Sequence, residues 1–200
     1  MLVQPDFSCL FAATTGQHGY FTTAQARACG FRSNLLHFHV RTGKFVHVHR
    51  GVYRLRDYPS SPREEVVAAW LAVGKHRAVV SHDSALDLHD LSDVIPDAVH
   101  LTVPRAVRHP PAIPGGVVHT TTRDLRPQDI VTRDGLRVTS AARTILDAAE
   151  IAVAPEQVEM AVRQAIVRGL TTRHRLEEDA RQRSRRAYDL VTGVLARASR

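Results

Sequence analysis

"FRSNLLHFHVRTGKFVHVHRGVYRL", residues 31–55, holds four arginines, one lysine and four histidines on a regular apolar skeleton, with no carboxylate among them. Two periodicities meet inside it. At about 100° per residue, Leu35, Leu36, His39 and Val40 share one side of a helix, while Asn34, His37, Phe38 and Arg41 share the other. Ser33 is placed to cap a helix over 34–42, and Gly43 to close it in the left-handed conformation that follows a helix end. "FVHVHRGVYRL" then alternates as a hairpin does. A two-residue turn at Arg50-Gly51 pairs His49 with Val52, Val48 with Tyr53, His47 with Arg54 and Val46 with Leu55. That register puts Val46, Val48, Tyr53 and Leu55 inward, and His47, His49 and Arg54 outward.

Upstream, "PDFSCLFAATTG" reads as a short helix with Phe7, Leu10 and Phe11 on one side. "TTAQARACG" reads as a second helix, with Thr22 and Gln25 at capping-box spacing and Gly30 past its end. Three short helices and a basic hairpin make the winged helix-turn-helix pattern. The third helix then enters the major groove, with Arg32, Ser33, Asn34, His37 and Arg41 near base edges or phosphates. The wing adds Lys44, His47, Arg50 and Arg54 against the backbone. A carboxylate anywhere on this face would repel phosphate, which accounts for the absence of one.

The distribution of charge supports this placement. The 200 residues carry a formal net charge of +7. Residues 1–58 hold seven Lys+Arg against two Asp, a net +5, and residues 59–172 hold twelve basic against fourteen acidic residues, a net −2. Residues 173–200 return to +4, with eight Arg against four acidic groups. In that tail, "RQRSRRA" follows acidic residues at helix-pair spacing, as in Glu177 with Arg181 and Asp179 with Arg183, so the tail is expected to be a largely solvated helix face. Cys9 and Cys29 have no metal-ligand spacing and are expected as two small buried thiols of a reduced, cytoplasmic protein. No apolar run approaches the roughly 20 residues of a membrane span, and the N-terminus lacks the basic segment of a signal peptide.

"RDYPSSP" marks a boundary, giving a DNA-binding domain over 1–58 and a second domain over 59–200. In the latter, Ser61, Pro62 and Glu64 start a helix running to about Val73. "AVVSHDSALDLHDL" is a short buried strand leading into a helix capped at Ser81, and "AVHLTVP" and "GVVHTTT" are strands. "DIVTRDGLRVTS" turns on Asp134-Gly135, and helices follow from Ser140. The expected class is α+β: an N-terminal winged helix-turn-helix, then a mixed α/β domain ending in helices.

Ser81, His82, Asp83 and Ser84 form the best polar cluster of the second domain. Capping accounts for Ser81 and Asp83, since negative charge suits the positive end of a helix dipole. Nucleophilic catalysis would need a buried triad and an oxyanion hole, so no catalytic residue is assigned. His47 and His49 invite a metal reading, but no nearby Cys or carboxylate completes a zinc shell. No metal and no cofactor are expected, and no Gly-rich phosphate loop is present.

The blocks "GYFTTAQARACGFRSNLLHFHVRTGKFVHVHRGVYRL", "VVSHDSALDLHDL", "VHLTVP" and "DGLRVTSAARTILDAAE" together resemble, in this order, the AbiEi-type antitoxins of bacterial type IV toxin–antitoxin systems. The resemblance runs from about Gly19 to Gly169. It implies a winged helix that represses its own operon, commonly at inverted repeats, and a second domain that counteracts a co-encoded nucleotidyltransferase-like toxin without stable toxin binding. It also implies that the nuclease-like domain appended in some relatives is not accommodated at this length. Two other readings stay open. One is a plain winged-helix regulator, and the other an enzyme that neutralises its toxin by phosphorylating it. A lone domain of this size usually needs a second half-site for useful specificity, so dimerisation on DNA is open as well. No membrane partner is expected.

Overall fold

The computed structural model describes residues 4–197 apart from 122, 124 and 152. Its N-terminal unit is built from α1 (Phe7–Thr14), β1 (Tyr20–Thr22), α2 (Thr23–Ala28), α3 (Ser33–Arg41), β2 (Phe45–His49) and β3 (Val52–Leu55). Asp6 caps α1 by accepting from the amides of Ser8 and Cys9. Thr22 and Gln25 form the expected capping box at α2. Gly30 and Gly43 have positive φ, as the helix ends require. Phe21, Phe31 and Phe45 are fully buried with Leu10, Ala26, Cys29 and Leu36. Each large side chain contributes roughly 1.5–3 kcal/mol by leaving water, so this small core holds α3 firmly.

Four details differ from the sequence reading. Ser33 is the first residue of α3, and Arg32 occupies the extended cap position without a side-chain cap bond. β1 joins β3 as an outer strand, giving a three-stranded sheet ordered β1-β3-β2. The hairpin keeps the His49–Val52 pair but bulges at Val48, so His47 pairs with Tyr53 and Val46 with Arg54. The extra residue shifts every pair beyond it by one. Cys9 and Cys29, finally, are not two buried thiols: Cys9 is exposed, and the pair forms a disulfide across a Cα–Cα distance of 5.6 Å. Packing α1 along the end of α2 brings them together, with the Asp6 amide donating to the Cys29 carbonyl at 2.9 Å.

The remaining chain forms α4 (Glu64–Val73), β4 (Val79–Val80), α5 (His82–Leu88), β5 (Val99–Pro104), β6 (Gly116–Thr121), β7 (Ile130–Arg133), β8 (Leu136–Thr139), α6 (Ala141–Glu150), α7 (Pro155–Val167), α8 (Arg173–Ala180) and α9 (Arg185–Arg197). The strands make one mixed sheet, ordered β6-β5-β4-β8-β7. β5 and β6 run parallel, as do β4 and β8, while β4–β5 and β7–β8 are antiparallel. Asp134 and Gly135 both take positive φ, which makes the β7–β8 connection the tight turn that Asp-Gly favours.

α4 joins the two parts. Tyr20 and Val52 share one apolar cluster with Val67, Trp70, Leu71, Val80 and Leu101. The wing sheet is therefore covered on both faces, by the helices of the N-terminal unit on one side and by α4 on the other. A separate helical core gathers Ile145, Leu146, Val158, Val162, Leu176 and Val191 from α6 to α9.

Candidate nucleic-acid interface and a histidine-lined cavity

α3 buries Leu36 and His39, with Leu35 and Val40 partly covered, and turns Arg32, Ser33, Asn34, His37, Phe38 and Arg41 to solvent. Its first-turn amides carry no side-chain cap, which leaves them as donors for an anion. Lys44 and His47 are exposed on the loop and on β2, and Arg50 stands exposed at the hairpin tip. Among the described residues, no ion pair involves Arg32, Arg41, Lys44 or Arg50. The tip is fixed by the Thr23 amide, which donates to the Gly51 carbonyl at 2.9 Å. Arg27, on the helix preceding α3, is also exposed and has no carboxylate partner among the described residues. Its place in the last turn of α2 was the signal available in the sequence.

Arg54 does not stand on the outward face. Alternation along β3 puts it on the same sheet face as Val52 and its partner Tyr20, and α4 covers that face. Its guanidinium donates to Glu64 Oε1 at 2.9 Å and to the Tyr58 carbonyl at 2.8 Å, and its side chain is only 11% exposed. Arg54 is a clamp between the two parts of the chain. His39, inside the unit, packs edge-on against the rings of Phe7 and Phe31 and tilted against Phe45, and its Nδ1 is buried without a partner. Burial, aided by Lys44, pulls its pKa below the ordinary imidazole value.

The second domain carries a cavity of about 290 Å³ lined in part by His82, Thr102, His119, Arg143, Asp147 and Arg183. His82 opens α5 with φ +52°, a left-handed conformation rare for a residue with a Cβ. Its Nδ1 lies 2.9 Å from Ser81 Oγ, which also accepts from Thr102 Oγ1 at 2.7 Å. β5 contributes His100 and Thr102 two residues apart on one face, and β6 brings His119 opposite Thr102. The His82 and His119 rings stack at 3.8 Å between centroids, and His100 Nδ1 lies 3.0 Å from His119 Nε2. Burial and the neighbouring imidazoles lower His82 to about 2 and His119 to about 4, so both rings are neutral at neutral pH.

Opposite them, Arg143 Nε bonds Asp147 Oδ1 at 2.8 Å, and Arg183 bonds Asp147 at 2.6 Å and Glu150 at 3.0 Å. Burial raises the Asp147 carboxyl while the two guanidinium groups oppose it. The tail therefore pairs differently from its expected spacing: Asp179 bonds Arg175 and Arg126, and Arg183 reaches across to α6. Tertiary packing offers these arginines better-buried partners than the adjacent turn does.

Of the four residues singled out in this region, the fold directs two to this cavity side. Ser81 is fully buried and its hydroxyl is engaged by His82 and Thr102, so it does not cap α5. Ser84 faces away, accepting from the His100 amide and donating to the Ala98 carbonyl. Asp83 has a buried Oδ1 without a partner, and burial raises its carboxyl. His100, His119, Arg143, Asp147 and Arg183 had no local signal, since they lie on four separate segments of the chain.

Comparison with known proteins places the N-terminal unit. Residues 13–56 match the family model described as transcriptional regulator, AbiEi antitoxin. The fold as a whole is similar to the crystal structure of the RV2827C protein from Mycobacterium tuberculosis, with a TM-score of 0.62 and 14% identity over 94% of this chain and 75% of that one. No curated protein matches the chain.

Proposed function

From the premise that residues 13–56 are an AbiEi-type antitoxin regulator segment, we propose that the chain binds operator DNA ahead of its own gene through α3 and the wing and counteracts a co-encoded nucleotidyltransferase toxin. One observation carries the DNA reading. Among the described residues, Arg32, Arg41, Lys44 and Arg50 have no acidic partner on one exposed stretch that holds no carboxylate, while much of the chain's other arginine is tied to acidic partners. Arg32, Ser33, Asn34, His37 and Arg41 meet the major groove, and Lys44, His47 and Arg50 the flanking phosphates. Residues 1–58 carry this task, and residues 59–200 the relief of toxicity. Two copies on an inverted repeat supply the two half-sites that specificity at this interface size calls for. A repressor of this kind works in the cytoplasm, beside the chromosome. Neutralisation proceeds without a stable toxin complex, in the type IV manner.

Fluorescence anisotropy with a duplex from the promoter of this gene, against a scrambled duplex, tests the first part. Binding to the promoter duplex at least about a thousandfold tighter is expected for an operator; equal affinity for both contradicts it. Co-induction with the neighbouring nucleotidyltransferase gene in a growth assay tests the second. Rescue should survive Ser81→Ala, Asp83→Ala and Ser84→Ala made singly, and its loss in any one of them would favour a covalently modifying antitoxin.

A further inference from the structure

We propose that His82, His100 and His119 form a binding site for one first-row divalent transition metal, Zn²⁺ by ligand type, beside the second-domain cavity that His82 and His119 line. One ligand nitrogen from each ring lies within 4.8 Å of the other two. Zinc with imidazole nitrogens at about 2.0–2.1 Å needs ligand atoms roughly 3.4 Å apart in a tetrahedron, so small side-chain rotations must draw in the longer separations and widen the 3.0 Å gap between His100 and His119.

Three further features fit a ligand set better than a packed polar core. His82 is held at φ +52° although it carries a side chain, and strain of this kind persists where a side chain must be aimed. Ser81 engages Nδ1 of His82, leaving Nε2 free. An outer hydrogen bond of this sort fixes a ligating imidazole, and Thr102 in turn holds Ser81. His100 Nδ1 and His119 Nε2 face each other at 3.0 Å, so at most one proton sits between two nitrogen lone pairs, and a widening to about 3.4 Å lets a divalent cation take its place. Among the described residues no carboxylate oxygen joins the three nitrogens, though Asp83 lies near His100, and imidazole sites suit Zn²⁺, Cu²⁺ or Ni²⁺ over Mg²⁺ or Ca²⁺. His82, His119 and Arg143 line the same cavity, so a fourth ligand, water or a small anion, would enter from that side.

The wing histidines are the internal control. Val48 bulges between His47 and His49, which breaks the alternation that would aim both rings at one ion.

The test uses the full chain without a histidine tag, stripped with chelator and titrated with ZnCl₂ by calorimetry and with CoCl₂ by visible absorption. One ion per chain is expected, with the ligand-field bands of a four-coordinate site. His119→Gln, on edge strand β6, should weaken binding by more than about a hundredfold, and Ser81→Ala by roughly 10–100-fold, as loss of an outer-sphere partner does. His47→Gln with His49→Gln should leave it unchanged. No saturable site in the wild-type chain would overturn the proposal without recourse to any variant. So would a site that survives His119→Gln in folded protein, as judged by circular dichroism, or one lost with the wing histidines. Promoter-DNA affinity of His119→Gln, expected to be unchanged, keeps this result separate from the DNA reading.

Discussion

The chain has two arginine-rich regions, and the fold treats them in opposite ways. On α3 and the wing, Arg32, Arg41, Lys44 and Arg50 are close in sequence, exposed and, among the described residues, without acidic partners, Arg54 alone being turned to Glu64. In the C-terminal helices, Arg175, Arg183, Arg185 and Arg197 are bound to Asp179, Asp147, Glu150, Asp189 and Glu159. Arg126 and Arg143 extend that network through Asp129 and Asp179. Composition counts both regions as basic, but only unpaired cations release counterions on meeting DNA. Two things separate the regions: carboxylates tie up most of the tail arginines, and the free ones on α3 and the wing stand together on one recognition helix and hairpin, whereas Arg181 and Arg186 do not.

The contrast can be broken most forcefully at Asp147. Asp147→Ala leaves Arg143 and Arg183 facing each other beside the cavity without their shared anion. The expected cost is about 3–5 kcal/mol of stability in urea unfolding; a loss below about 1 kcal/mol would mean that the network is ornamental. Arg54 sharpens the comparison inside the basic stretch itself. Arg54→Met should cost about 1–3 kcal/mol through its lost charged hydrogen bonds, yet leave the salt dependence of DNA binding unchanged. A shallower slope in that variant would return Arg54 to the DNA face.

His39 gives a smaller effect with a definite sign. Because burial lowers its pKa in the folded state, its neutral form contributes stability above the ordinary imidazole value, and that stability is lost as pH falls through the lowered folded value. His39→Phe, set among Phe7, Phe31 and Phe45, should reduce the stability lost between about pH 7.5 and 5.5. An unchanged pH dependence in thermal unfolding would show that His39 does not titrate with unfolding.

The N-terminal unit was legible because its information is local. Helix period, capping residues and the Arg50-Gly51 turn all act within a few residues, and α2, α3 and the hairpin stand where those signals put them. The misses there are tertiary. β1 is three residues long and exists through its pairing with β3, and the bulge at Val48 is a matter of fit between strands. The Cys9–Cys29 bond depends on how α1 lies on α2, which no spacing rule states. In the second domain the elements were visible and the cavity was not. His82, His100 and His119 lie 18 and 19 residues apart, and become neighbours only when β6 adds parallel to β5 and α5 returns over the same edge. The adjacent histidines of the wing form the conspicuous motif and do not converge; the scattered ones do.

The most direct measurement is the salt dependence of promoter-DNA affinity, taken as the slope of log K against log salt for the full chain and two variants. One variant carries Arg32→Gln, Arg41→Gln and Arg50→Gln; the other carries Arg181→Gln and Arg186→Gln, exposed tail arginines without ion-pair partners among the described residues. At about 0.9 per phosphate contact, the first should lose roughly 2.7 from the slope and the second nothing. A slope that falls with the tail variant and holds with the α3 and wing variant would contradict the assignment of the DNA face.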